Sequence, residues 1–208
     1  MIAKYAALVV AIMMIAGAPP YLHDIFKGKT KPERTTWLIW SILGIVALVS
    51  QATLHGGWSL VFVGIDAAGN LVVFFLSLHY GEGGWAPTDK IALVVAVISV
   101  VASVVIHNPV VALCGVVLAD ISGSALTLIK TYRDPDSETT ITWLFLGTAA
   151  LLGALSVGHW NWRLLLYPLY LSVATYGVVL TQYISRSHRY VRSRIATNRP
   201  LKPRSKKN

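Results

Sequence analysis

Residues 19–40 read PPYLHDIFKGKTKPERTTWLIW, a short basic loop set between two apolar stretches. Residues 130–143, KTYRDPDSETTITW, form a looser copy. Lys27 precedes Pro32 by the same interval as Lys130 precedes Pro135. Acids follow each proline: Glu33 in the first copy, Asp136 and Glu138 in the second. Thr36-Trp37-Leu38 then matches Thr142-Trp143-Leu144, and Ser50 and Ser156 fall equally far beyond their tryptophans. Such self-similarity predicts two related halves, each built as helix, basic loop, aromatic-led helix and third helix.

Composition places those halves in a membrane. Of 208 residues, 55% are hydrophobic and 13% charged, with the charge gathered in loops and at the C-terminal end. The apolar runs left between are roughly 17–22 residues long, the length of a membrane span. Backbone inside lipid must satisfy its own hydrogen bonds, so the spans are expected to be helices, and no period-2 alternation points to a barrel. The single cysteine, Cys114, excludes an intrachain disulfide. A net charge of +9 raises nucleic acid as a partner, but the basic residues flank apolar spans, where membrane topology accounts for them.

Seven spans are expected, three, one and three. They run from Lys4 to Pro20, Thr36 to Leu54, Trp58 to Tyr80, Lys90 to Ile106, Pro109 to Ile129, Ile141 to Val157 and Leu164 to Ile184. Residues 1–80 form the first repeat, 81–108 a linker and joining helix, and 109–185 the second repeat. Residues 186–208 form a basic tail expected to be disordered. Ala16-Gly17-Ala18 imitates a signal-cleavage site, but Pro19 would follow it, a poor context, so the first span is expected to be retained. His55-Gly56-Gly57, His107-Asn108-Pro109 and Gly158–Arg163 read as tight turns, Gly81–Pro87 as the linker, and Thr88 or Asp89 as the cap of span 4. Span 4 is expected to face lipid.

Sixteen of the 18 Lys and Arg residues fall on one side, in the two copied loops, the linker and the tail. The N-terminus is therefore expected outside and the C-terminus in the cytoplasm, across an inner or plasma membrane. Trp37, Trp40, Trp85 and Trp143 sit near the inner boundary and Trp58, Trp160 and Trp162 near the outer one, where interfacial anchoring is the ordinary role.

The informative residues are polar ones at depth. Asp66 lies about eight residues into span 3, roughly 12 Å deep. Asn70 lies one turn further on the same face. Asp120 lies about ten residues into span 5, with Ser124 and Thr127 continuing its face. Span 7 adds Tyr170, Ser172, Thr175 and Tyr176 at similar depth. A charged Asp at a span centre costs about 2.5–3.5 kcal/mol, so each should face the bundle interior or a water-filled cavity. No Lys or Arg lies at matching depth, which points to proton exchange rather than a fixed ion pair. The alternative is hydrogen-bonded packing between helices. His23 and Asp24 read as loop polarity or as part of an inner gate. Metal-ligand spacing, a phosphate loop and a nucleophile elbow are all absent from the sequence, so neither cofactor nor enzymatic activity is expected.

Residues 1–185 resemble the SWEET and PQ-loop transporter superfamily, and PYLHDIFKGKTKPERTTWLIW resembles the first repeat of small bacterial proteins related to it. The resemblance implies a central site between the first and third helices of each triplet. It sets Asn70 beside the third-helix asparagine of SWEET proteins and Asp120 beside the protonatable aspartate of lysosomal PQ-loop exporters. Pro19-Pro20 stands where the family carries Pro-Gln, and Ser122-Gly123 stands at the matching place in the second half. Spans 2 and 6 lack the family's hinge prolines, with Gly44, Gly147 and Gly153 in their stead. The expectation is an all-α seven-span carrier that moves a small polar solute by alternating access. Asn70, Asp66, Ser124, Tyr170, Ser172, Thr175 and Tyr176 would bind solute, and Asp120 and Asp66 would exchange protons. Pro19, Pro20, Gly44, Gly123 and Gly147 would gate. Alternatives on the same topology are a Pnu-type vitamin-precursor facilitator and a non-transporting receptor or assembly protein, as KDEL receptors are. Monomer and homo-oligomer are both left open.

Overall fold

The computed structural model describes residues 2–53, 59–106, 109–155 and 162–197. They form seven helices: α1 (Ile2–Phe26), α2 (Arg34–Thr53), α3 (Ser59–Tyr80), α4 (Pro87–Val105), α5 (Pro109–Arg133), α6 (Thr140–Leu155) and α7 (Trp162–Thr197). The turns expected at 55–57, 107–108 and 158–161, with Trp58 and Trp160, lie outside the described residues. Three helices contain stretches long and apolar enough to cross a membrane: Leu8–Phe26, Leu113–Arg133 and Leu165–Val191.

The packing order is not the chain order. α2 lies along α3, α6 along α7, and α5 between α4, α7 and α2, while α1 packs chiefly on α6. Among the described residues the backbones of α1 and α2 are not neighbours, nor are those of α5 and α6. Two hydrogen bonds lock the crossed pairs. Thr36 of α2 donates to the Gly123 carbonyl of α5 at 2.7 Å, and Thr142 of α6 donates to the Gly17 carbonyl of α1 at 2.8 Å. Both residues of the second bond lie 106 positions from their counterparts in the first (36 and 142, 17 and 123).

Several expected boundaries move. α1 runs through Pro19 and Pro20 and on to Phe26, six residues into what reads as loop. The prolines remove two backbone donors, but the next turns are held by burial of Tyr21 and Ile25 against Trp37 and Val73. α4 begins at Pro87, not Lys90, with the proline in the first turn. Asp89 reaches back to the backbone N–H groups of Gly84 and Ala86, at 2.7 and 2.9 Å, so it closes the start of the helix from within. α7 runs past residue 186 and continues as helix to Thr197. Arg186 and Arg189 anchor that extension to Asp136 and Asp134, at 3.0 and 3.5 Å.

α4 packs Ala92 and Ala96 into a core with Ile39, Ala119 and Leu126. Its other face exposes Ile91, Val94, Ile98, Val101 and Val105. That is an exposed helical stripe of aliphatic side chains.

The tryptophans of the copied loops are not surface anchors. Trp37 and Trp143 are buried, and Trp40 is half-buried between them at ring-centroid distances of 5.0 and 6.0 Å. Of the four tryptophans expected at the inner boundary, only Trp85 is largely exposed.

Candidate functional site

Asp120 sits on α5 thirteen residues, or about 20 Å of helix, from Arg133, and only 2% of its surface is exposed. Three helices supply its partners. Oδ1 accepts hydrogen bonds from Trp40 Nε1 of α2 at 3.0 Å, from Ser124 Oγ one turn along α5 at 3.0 Å, and from Tyr170 Oη of α7 at 3.2 Å. Oδ2 accepts from Tyr167 Oη at 3.2 Å. None of these donors is a cation, and no salt bridge to Asp120 occurs among the described residues.

This donor set serves both protonation states. As a carboxylate, Asp120 has four hydrogen bonds for its lone pairs. Trp40 can only donate, so Oδ1 must remain an acceptor. Tyr167 can donate or accept, so a proton on Oδ2 can turn toward its phenol oxygen. A site that loads and unloads a proton in a water-poor interior needs this property, because an unpaired polar group there is costly.

Asp66 of α3 accepts from Asn70 Nδ2 one turn away, at 3.2 Å. It lies close enough to Asp120 and Tyr167 to act on both electrostatically. The Asp120 cluster joins α2, α5 and α7, while Asp66 and Asn70 pair with each other on α3 and reach it through charge alone. Pro168 lies inside α7 between Tyr167 and Tyr170, and its missing N–H weakens the helix at the point that carries both tyrosines.

Of the residues expected from sequence, Asp120, Ser124 and Tyr170 come together, and Asp66 and Asn70 form a separate pair on α3. Ser172, Thr175 and Tyr176 face elsewhere. Ser172 donates to the Gly147 carbonyl of α6, Thr175 bonds its own helix, and Tyr176 pairs with Thr148 at 2.7 Å. They pack α7 on α6. The glycines are places of close approach. A Cβ at Gly44 would come within 3.0 Å of the Ala67 backbone, and one at Gly147 within 3.0 Å of Thr175 and Tyr176. Gly123 faces Trp40 and Ile39. Trp40 and Tyr167 are the partners that sequence reading did not assign to the site. Tyr167 lies three residues before Tyr170, on the same helix face, which is the signal that points to it.

A second polar network closes the bundle at the end that carries the copied loops. Lys130 and Glu138 form a buried ion pair, with side chains 7% and 0% exposed. Lys130 also donates to the Lys31 carbonyl of the first loop at 2.5 Å, and Trp143 Nε1 donates to Glu138 Oε2 at 3.0 Å. Lys31 N–H donates to the Ser137 carbonyl at 3.0 Å. Thr139 donates to Asp24 at 3.0 Å and is therefore the acceptor from Thr30 at 2.5 Å. Gln182 of α7, fully buried, donates to the carbonyls of Pro135 and Glu138. Beside it, Arg34 spreads its guanidinium over the carbonyls of Ser77, Gly81 and Gly83, fixing the end of α3 to the start of α2. Asp24, on α1, is thus part of the network, while His23 is exposed with its ring 3.4 Å from Asp24.

No cluster of three or more metal-ligating side chains occurs among the described residues. No family model, curated protein or solved structure matches the chain.

Proposed function

We propose that the chain is a membrane carrier of a small polar solute. It works by alternating access between two three-helix units joined by α4, with Asp120 as its proton-exchanging group. The observation that carries this reading is the Asp120 carboxyl, buried and cation-free, bonded at once to Trp40 of the first half and to Tyr167 and Tyr170 of the second. A proton or a solute that takes up one of these acceptor positions changes how the halves hold together. That is a differential contact between two states, the minimum a coupled carrier requires.

The membrane placement is supported by the three long apolar helices and by the exposed aliphatic stripe of α4. The basic loops and tail then face the cytoplasm. In this reading the Lys130–Glu138 network is the closed inner gate, and the path to Asp120 opens from the other side. Asp66 and Asn70 line the solute site with Ser124 and Tyr170, and Pro168 supplies the bend.

The test uses purified protein in liposomes with an imposed pH gradient. Lumenal pH is followed while pools of sugars, amino acids and nucleosides are offered. Solute-dependent proton movement that is lost in Asp120→Asn supports the carrier. Labelled-solute uptake indifferent to Asp120→Asn and Asp66→Asn reduces the carboxyls to packing. Silence in both readouts from folded protein moves the reading to a receptor or assembly role. A second reading, a Pnu-type facilitator, is favoured by the aromatic wall that Trp40, Tyr167 and Tyr170 form around the carboxyl. Its mark is uptake of a flat heteroaromatic solute without proton movement.

A further inference from the structure

α5 ends at Arg133, while α7 runs beside it and continues past its end to Thr197. Between them lies a cleft of about 220 Å³ lined by Tyr132, Arg133, Ser185, His188 and Arg189. Ser185 and Arg189 fix its walls, donating to the carbonyls of Tyr132 and Arg133. Tyr132 Oη and His188 Nδ1 stand 3.5 Å apart across it.

The charge of the cleft is not balanced. Arg189 shares Asp134 at 3.5 Å, and Arg186, outside the cleft, holds Asp136. Arg133 is exposed, and among the described residues its guanidinium has neither a carboxylate nor a hydrogen-bond acceptor. It also sits at the carboxyl end of α5, where backbone carbonyls favour a cation. On its other faces the same stretch of α7 exposes Tyr183, Ile184, Tyr190 and Val191. A cationic notch on a helix whose other faces expose tyrosine and aliphatic side chains matches the composition of a membrane interface.

Helix lengths put it at that depth. The apolar stretch Leu113–Arg133 is 21 residues, or about 31 Å, which matches a hydrocarbon core of about 30 Å and brings Arg133 to its edge. The stretch Leu165–Val191 is 27 residues, or about 40 Å, so its last turns reach into the headgroup layer.

We propose that this cleft binds the phosphate headgroup of an anionic phospholipid in the leaflet facing the copied loops. Arg133 makes the principal contact, and Arg189, His188 and Tyr132 donate around it. The proposal rests on the membrane reading above but not on transport. A lipid held here bridges α5, which carries Asp120, to α7, which carries Tyr167 and Tyr170.

The test is native mass spectrometry of the full chain released from mixed micelles holding equal phosphatidylglycerol and phosphatidylcholine. Wild type is expected to retain phosphatidylglycerol over phosphatidylcholine by about fivefold, the worth of one basic residue at an anionic surface. Arg133→Gln should bring the two lipids to parity, Arg133→Lys should keep most of the preference, and Arg186→Gln should leave it unchanged. Equal retention in wild type, an unaffected Arg133→Gln, or an equal loss in Arg186→Gln overturns the proposal. Release of the bound lipid by excess inorganic phosphate also overturns it, since the cleft would then be a site for free phosphate. A chain that stays monodisperse without detergent fails the membrane reading first, and the lipid site with it.

Discussion

Thr36 donates to the carbonyl of Gly123 at 2.7 Å, and Thr142, 106 residues after Thr36, donates to that of Gly17, 106 residues before Gly123, at 2.8 Å. The two bonds hold the crossed helix pairs α2–α5 and α6–α1. They are not equal in their surroundings, because Thr36 Oγ1 also accepts from Thr127 at 3.1 Å. Replacing Thr142 by Val removes one hydrogen bond and is expected to cost about 1 kcal/mol. Replacing Thr36 by Val also strips Thr127 of its partner and is expected to cost about 2 kcal/mol. Denaturant unfolding of both variants in detergent tests the order; a larger loss at Thr142 contradicts it.

Asp120→Asn and Asp120→Leu separate chemistry from packing. Asparagine keeps an acceptor for Trp40, Ser124 and Tyr170 and presents an amide that donates to Tyr167, so stability should change by less than about 1 kcal/mol. Leucine takes the carboxylate acceptor from Trp40, Ser124 and Tyr167, leaving Tyr170 only Ser124, and should cost about 2 kcal/mol or more. Proton-coupled uptake should vanish in both. Thermal unfolding beside the liposome assay reads the two effects apart, and uptake retained in Asp120→Asn would remove Asp120 from proton exchange.

Why Asp120 and Asp66 stand out in the sequence, and their partners do not, follows from the same physics. A carboxyl midway along an apolar run has nowhere to be satisfied except the interior, so its burial is legible from composition alone. Which donor reaches it depends on how helices from distant parts of the chain cross. Trp40 lies early in α2, where a tryptophan ordinarily marks the interface; only the crossing of α2 over α5 turns it to Asp120. The helices themselves were legible as apolar runs, but their ends were not. Pro19-Pro20 reads as a stop, although a proline breaks only the bonds of its own turn, and packing of Tyr21 and Ile25 carries α1 onward. The basic run after Ser185 reads as solvated charge, but two acids in the second loop pair with Arg186 and Arg189 and start it as helix. The loop copies were legible as repeats. That they clasp each other through Lys130 and Glu138 was not, because the pairing joins Lys130 to the backbone of Lys31, which has no signature in sequence.

Lys130→Met should be the most destabilising single change at that clasp. It leaves Glu138 buried without its cation, though Trp143 still donates to it, and breaking a buried pair by removing one partner costs about 3–5 kcal/mol. Adding Glu138→Gln to Lys130→Met should recover more than half of the loss, since the uncompensated charge is gone. A double-mutant cycle followed by thermal unfolding measures it; additive losses would mean that the pair contributes through packing and not through charge.

Glu33 gives the fold a pH dependence of calculable sign. Its side chain is 3% exposed, with Oε2 accepting from Thr36 N–H at 2.5 Å and Oε1 unpartnered against Gly83, whose backbone φ of +76° suits glycine. Burial raises its pKa above the ordinary 4.5, and the hydrogen bonds from Thr36 and Thr35 only partly oppose this. The folded chain therefore holds this proton more tightly than the unfolded chain does. From about 4.5 up to the raised native value, folding takes up a proton, so stability falls as pH rises through that window. Below the window the cost is absent, and above it the cost is complete. Glu33→Gln keeps an acceptor for Thr36 and removes the titration. Its Tm should therefore exceed that of wild type by a margin that is absent at low pH and grows with pH to a plateau. Parallel Tm profiles for the two proteins between pH 4 and pH 8 would mean that Glu33 ionises in the fold as freely as in water.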